Sequence, residues 1–371
     1  MSNKANNLTD IETKGFTVIP HFLSTKEIKL FIKDINTQVS SENKNYNLLK
    51  VADGVLEKIS HKNEALIKQV STETSIEPGD LRLSAFYLAT KLGVNFGWHS
   101  DHEDYFITQH HYNLLNFYIP IVKPDPKQSN LTVVPFDKLE KIAPELCRKL
   151  VGYGATSFMS DQHNRKTYVM DDNLSQTEVY DLNLDDIAET PFLSSGDLLL
   201  MRGDVIHRTQ DVNTERVALS VRYHCSKDML NMRKFLAMGY TKLRFMLNNP
   251  TYYLGVLDFF ADQLVDLSVV DSKLIDQTDA KTNSFNLTQG MEGQWILYYI
   301  DGAKQRHLID MGSDVLKNIK SKKIDDLTDY DILRIKRNLQ PYLEKILLRY
   351  DIKEDIFDKN FSLGDLISFV S

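Results

Sequence analysis

The sequence predicts a mixed fold with a mainly β core, a sandwich or barrel carrying flanking N-terminal helices and a largely helical C-terminal extension. Three observations predict it. Between Leu81 and His224, short strand-like runs follow one another, separated by turns that carry Pro, Gly, Asn and Asp. No helices alternate with those runs, as a parallel α/β sheet would need. Before and after that stretch, apolar residues recur at helical spacing.

The elements follow in order. Gly15-Phe16-Thr17-Val18-Ile19 alternates and stops at Pro20, the signature of an edge strand. Ser24 is an N-cap with Glu27 three residues on as its capping-box partner, and Ile28, Phe31, Ile32 and Ile35 continue the helix. A second helix is expected over Asn63 to Thr72. Strands are expected at Leu81–Leu88, Leu114–Val122, Leu131–Val134, Asp197–Met201, Val205–Arg208 and Arg216–His224. Cys147 to Thr190 is more polar and reads as an insertion or long loop over the barrel mouth. Leu230–Leu247 and Tyr253–Leu267 read as helices, and so does Asp329–Leu348, where Ile332, Ile335, Leu339 and Leu343 share a face. Asp301-Gly302 between two apolar runs predicts a hairpin, with Trp295, Tyr298 and Tyr299 in the core of that part. The expected organisation is a core domain over 1–228 and a mostly helical region over 229–371.

Composition narrows the function classes. A net charge of -7 argues against a protein that coats nucleic acid, which needs a basic surface. No apolar run reaches the roughly 18 residues of a membrane span. The first residues lack the apolar stretch of a signal peptide, so the chain is read as cytoplasmic. On that reading the Asn-x-Ser/Thr matches at Asn7, Asn130 and Asn286 are chance. Cys147 and Cys225 stand far apart, which disfavours zinc-ribbon and thioredoxin-type chemistry; Cys225 is expected to be buried.

The chemistry centres on Gly97-Trp98-His99-Ser100-Asp101. On a strand, residues two apart face the same side, so His99 and Asp101 present an imidazole and a carboxylate together. His207 follows far downstream, as a distant strand of the same barrel would supply it. Two His and one carboxylate on one face of an octahedral metal leave three positions open, the arrangement of non-haem iron(II) oxygenases. Those positions take a bidentate 2-oxo acid and then dioxygen.

Four segments resemble the phytanoyl-CoA dioxygenase-like family. Trp98-His99-Ser100-Asp101 is similar to its Trp-His-x-Asp. Asn130-Leu131-Thr132-Val133-Val134-Pro135 resembles the strand before its Pro-Gly-Ser-His. Gly196-Asp197-Leu198-Leu199-Leu200, then His207 and Asn213, resembles its Gly-Asp…His…Asn segment. Arg216-Val217-Ala218-Leu219-Ser220-Val221-Arg222-Tyr223 resembles its closing strand. The resemblance covers roughly Gly15 to His224. It implies a double-stranded β-helix, or jelly roll, with Fe(II) on His99, Asp101 and His207 and 2-oxoglutarate as cosubstrate. It also implies that Arg216 binds the distal carboxylate of 2-oxoglutarate, for which a guanidinium fork is the matching shape. Arg222 competes for that role, since six residues along a strand keep both on one face. Ser220 and Asn116, or Asn113, are further candidates for cosubstrate binding. Asp101 favours oxygen transfer over halogenation, because related halogenases lack the carboxylate.

The function implied is an Fe(II)/2-oxoglutarate-dependent dioxygenase that hydroxylates a small organic substrate and decarboxylates 2-oxoglutarate to succinate. A cupin-type enzyme without 2-oxoglutarate and a non-catalytic jelly-roll binding protein are the alternatives. Two departures stand out. The family's Pro-Gly-Ser-His is here Pro135-Phe136-Asp137-Lys138, and the C-terminal region has no counterpart, which leaves it as a lid, a partner site or a homodimer surface. His102, Glu103, Asp104, His110 and His111 form a polar run whose readings are a second metal site or a solvated loop. Arg202-Gly203-Asp204 reads as a tight turn between strands. Trp98 reads as packing beside the metal.

Overall fold

Near-continuous apolar runs on short strands must be covered on both faces of their sheet, and here two layers do so from opposite sides. The computed structural model describes residues 8–39, 48–77, 79, 81–90, 94–101, 113–150, 157–161, 163–170, 177–227 and 229–231, with further strands at 284–289, 295–300, 306–309 and 360–362. The chain divides into two units, Met1–Asp171 with Gln176–Asp228, and Asp172–Ser175 with Met229–Ser371.

In chain order, the first unit contains α1 (Asp10–Thr13), β1 (Phe16–Ile19), α2 (Thr25–Val39), β2 (Leu48–Lys50), α3 (Asp53–Leu56), α4 (Ser60–Glu73), β3 (Leu81–Ala89), β4 (Leu115–Val122) and β5 (Leu131–Val133). There follow α5 (Phe136–Ile142), α6 (Pro144–Leu150), β6 (Ser157–Asp161), β7 (Lys166–Met170), β8 (Thr177–Tyr180), β9 (Leu198–Arg202), β10 (His207–Thr209) and β11 (Val217–His224). A six-stranded sheet has the order β1-β9-β4-β11-β3-β2, antiparallel at every junction. β1 occupies an edge, where Pro20 removes no ladder bond. The smaller sheet pairs β10 with β5 and is extended by the bridges His99–His207 on one side and Val133–Glu189 on the other. The chain passes from β3 to His99, back to β4, across to β5 and Glu189, back to β9, across to β10 and back to β11. Apart from β2 and β3, neighbours within these two sheets are therefore non-consecutive in sequence, as in a jelly-roll winding. The core is mainly β, as the sequence predicts.

Alternation on the central strands explains the layers. Phe117 and Ile119 of β4, Leu198 and Leu200 of β9, and Leu219 and Val221 of β11 pack in one core with Phe31 and Ile35 of α2 and Leu66, Ile67 and Val70 of α4. The opposite faces, through Tyr118, Leu199, Met201 and Ala218, pack with Leu131 and Val133 of the small sheet. Each such side chain contributes on the order of 1.5–3 kcal/mol by leaving water. The start of α2 is fixed by the expected box: the Ser24 backbone N–H donates to Glu27 Oε2 at 2.7 Å, and the Glu27 N–H donates to Ser24 Oγ at 3.3 Å.

Several expectations need correction. The 147–190 stretch is not simply a loop: β6, β7 and β8 form an antiparallel meander, and Leu146, Phe158, Leu182 and Leu184 build a core with Trp98. At the departure Pro135-Phe136-Asp137-Lys138, Pro135 stands at the N-cap and Phe136 opens α5. Cys225 is half-buried rather than buried. In the second unit, β12 (Met229–Asn231) pairs with β16 (Asn360–Ser362), so Leu230 and Asn231 lie on a strand where a helix was expected. β13 (Ser284–Gln289), β14 (Trp295–Ile300) and β15 (Arg306–Ile309) form a meander, and the β14–β15 pairing agrees with the expected hairpin. Trp295, Tyr298 and Tyr299 lie on β14. The remaining expected helices of this region, the Asp329–Leu348 helix among them, lie outside the described residues, as does a homodimer surface there. Among the described residues no helix is long and apolar enough to cross a membrane.

Candidate metal centre and anion pocket

His99 and His207 face each other as a hydrogen-bonded antiparallel pair. The His99 N–H donates to the His207 carbonyl at 2.9 Å, and the His207 N–H donates to the His99 carbonyl at 2.8 Å. Their rings stand 4.3 Å apart, centroid to centroid. Two residues on, the Asp101 N–H donates to the Gly203 carbonyl at 3.1 Å, which holds Asp101 on the same face as His99. Gly203 is required at this turn by space: a Cβ there would fall 2.2 Å from Leu114 Cδ2, and Leu114 is fully buried. The turn is locked by Arg202, whose Nε and Nη2 donate to the two carboxylate oxygens of Asp204 at 3.0 and 2.5 Å. Arg202-Gly203-Asp204 is thus the structural turn the sequence suggests.

The ligand atoms of His99, Asp101 and His207 all lie within 4.8 Å of one another. Each imidazole is oriented by the carbonyl two residues before it, His99 Nδ1 to Gly97 O at 2.7 Å and His207 Nδ1 to Val205 O at 2.9 Å. A carbonyl oxygen only accepts, so Nδ1 carries a proton in both rings, and Nε2 is the nitrogen that can serve as a metal ligand. Asp101 is buried, which raises its pKa, but Arg222, His207, His99 and the Asn116 amide outweigh that cost and hold the carboxyl well below the usual carboxylate range. Arg222 Nη2 donates to Asp101 Oδ1 at 2.9 Å and Asn116 Nδ2 to Asp101 Oδ2 at 3.0 Å. Ser220 Oγ in turn donates to Asn116 Oδ1 at 2.9 Å. His207 Nε2 stands 3.7 Å from Asp101 Oδ1. Two imidazoles and an ionised carboxylate, with Asp101 and His207 buried and His99 half-buried, form a donor set that fits a divalent cation.

The structure separates Arg216 from Arg222. Arg222 sits beside the carboxylate of Asp101, not in a separate anion site. Arg216 is 1% exposed; its Nη1 donates to the Tyr118 hydroxyl at 2.8 Å, while Nε and Nη2 have no hydrogen-bond partner among the described residues. A buried guanidinium with two open donors costs free energy unless an anion meets it. Ser220 and Asn116 are not placed as free cosubstrate contacts: their hydrogen bonds form a chain that ends on Asp101.

Some residues of this region were not singled out from sequence. Tyr118 and Lys123 sit among apolar or turn residues that carry no motif, and only the pairing of β4 with β11 brings them to Arg216. Trp98 packs in the core of the β6–β8 layer, with the Arg208 guanidinium 5.0 Å over its ring, as a packing role requires. His102, Glu103, Asp104, His110 and His111 lie outside the described residues.

No family model matches the chain and no curated protein is similar to it in sequence. Among solved structures, the chain is similar to the non-heme alpha ketoglutarate dependent epimerase SnoN from nogalamycin biosynthesis, at 14% identity and a TM-score of 0.39, covering 60% of this chain and 83% of that one. It is also similar to the carbocyclase SnoK from the same biosynthesis, at 13% identity and a TM-score of 0.41 over 62% and 86% of the two chains. A third is HygX from Streptomyces hygroscopicus with nickel, 2-oxoglutarate and hygromycin B bound, at 13% identity and a TM-score of 0.39 over 61% and 88%. None of these matches places the chain in the phytanoyl-CoA dioxygenase-like family. At such identities and TM-scores, the function of this chain rests on its own residues.

Proposed function

We propose that the chain is an Fe(II)/2-oxoglutarate-dependent dioxygenase on a double-stranded β-helix, related to the phytanoyl-CoA dioxygenase-like enzymes and hydroxylating a small organic substrate. The observation that carries the reading is the pairing of two sites: the convergent ligand atoms of His99, Asp101 and His207, and a buried guanidinium on Arg216 whose Nε and Nη2 meet no acceptor among the described residues. His99 Nε2, Asp101 and His207 Nε2 would hold the metal. When bound, iron and 2-oxoglutarate would activate dioxygen, one oxygen atom going to the C–H bond of the substrate and the other into succinate as 2-oxoglutarate loses carbon dioxide.

The chain's own part is geometry and charge. Gly97 and Val205 fix the two imidazole tautomers. Arg222 and Asn116 keep Asp101 ionised and aimed, and Ser220 fixes the Asn116 amide. Arg216 and the Tyr118 hydroxyl receive the distal carboxylate. A cupin-type enzyme that uses no dicarboxylate leaves the Arg216 donors unexplained, and a non-catalytic binding protein leaves the His-Asp-His set unexplained.

The test is binding and turnover. Protein prepared anaerobically is expected to bind Fe(II) and 2-oxoglutarate and to release succinate slowly when air is admitted, while Asp101→Ala loses Fe(II) binding. An Asp101→Ala variant that binds iron and 2-oxoglutarate as the parent does would refute the ligand assignment.

A further inference from the structure

Lys123 stands where a lysine is costly. It follows Val122, the last residue of β4, whose partner on β11 is Val217, the residue after Arg216. The two cations therefore occupy neighbouring strand ends. Both are buried, Lys123 at 8% exposure and Arg216 at 1%. Like charges side by side across a sheet repel, and burial strengthens the repulsion. The Lys123 ammonium donates one hydrogen bond to the Gln128 carbonyl. Among the described residues, neither Lys123 nor Arg216 has a carboxylate within ion-pair distance; Asp211 and Asp125 act on Lys123 only at longer range. Asp211 is itself engaged by the Ser129 N–H, the Ser129 hydroxyl and the Asn213 N–H.

We infer that Lys123 is a second cation of the pocket headed by Arg216, a positioning and specificity residue that selects 2-oxo acids carrying a distal carboxylate. The inference rests on the proposed function above. Arg216 offers two open donors, Tyr118 a hydroxyl, and Lys123 a compact charge, so an anion that fills the pocket relieves the repulsion between the two cations. A 2-oxo acid ending in a methyl group relieves nothing. The same arrangement makes cosubstrate affinity depend on pH. Burial, with Arg216 next to it, lowers the Lys123 pKa to about 8, against the opposing pull of Asp211 and Asp125. Below that value the ammonium is charged and ready; as pH rises through it the free protein loses the charge, and binding must first take up a proton.

The experiment measures affinity by calorimetry on anaerobic, Fe(II)-loaded full-length protein, with 2-oxoglutarate and with 2-oxobutyrate, which lacks the distal carboxylate. The parent is expected to bind 2-oxoglutarate much more tightly and to weaken severalfold from about pH 7 to about pH 9. Lys123→Met is expected to lose roughly tenfold or more for 2-oxoglutarate while binding 2-oxobutyrate as the parent does, which also shows that it is folded. Lys123→Arg, charged at every pH used, is expected to keep 2-oxoglutarate affinity and to flatten the pH profile. If the parent binds 2-oxoglutarate but both variants show its affinity and its pH profile, the role of Lys123 is refuted and the proposed function stands. If the parent does not bind 2-oxoglutarate, the proposed function fails and this inference with it.

Discussion

Asp101 shows how one side chain can serve a site only through its neighbours. Burial alone would push its carboxyl toward the neutral form, and a neutral carboxyl is a poor metal ligand. Arg222 and the Asn116 amide reverse that preference from opposite oxygens. Arg222 also stacks 5.1 Å from the Phe86 ring, so its guanidinium is held by packing as well as charge. Arg222→Met keeps the bulk and removes the charge. It is expected to lower Fe(II) affinity by about 10- to 100-fold, the usual cost of losing the partner of a metal ligand, with little change in the affinity for 2-oxoglutarate measured at saturating iron. Titration of both ligands under nitrogen checks this. An equal loss in both would place Arg222 on the cosubstrate instead.

Elements deliver these residues through backbone pairing. The ladder between His99 and His207 sets the spacing of the rings, and the Asp101–Gly203 hydrogen bond sets the third ligand. Gly203→Ala would drive a methyl group into Leu114, which has nowhere to move. The variant is expected to lose on the order of 1–3 kcal/mol of stability, as overpacking does, and to bind Fe(II) more weakly because the Asp101 strand shifts. Thermal denaturation and metal titration measure the two effects. Much at this scale was legible in the sequence. The alternating runs at β4, β9 and β11 gave their strands, and Ser24 with Glu27 gave the start of α2. The β6–β8 meander was not legible, because its strands are short and carry polar residues such as Thr167 and Glu178 at positions where a half-buried strand is expected to show apolar ones. The role of Arg222 was hidden for another reason. Parity puts Arg216 and Arg222 on one face of β11, and only the position of Asp101 across the sheet assigns them different partners.

The whole molecule carries a net charge of -7, yet the cations Arg202, Arg216, Arg222 and Lys123 are buried in its β unit. Two of them are balanced by carboxylates, Arg202 by Asp204 and Arg222 by Asp101. Arg216 and Lys123 have no carboxylate at ion-pair distance among the described residues, and a buried charge without a close partner is retained at a cost to stability. On the present account that cost is repaid when a dicarboxylate binds. The most direct measurement is a crystal structure of the protein grown anaerobically with Fe(II) and 2-oxoglutarate. The account predicts one ion bonded to His99 Nε2, Asp101 and His207 Nε2, and a cosubstrate whose distal carboxylate meets Arg216. An ion bound elsewhere, or a carboxylate that leaves the Arg216 donors open, would contradict it.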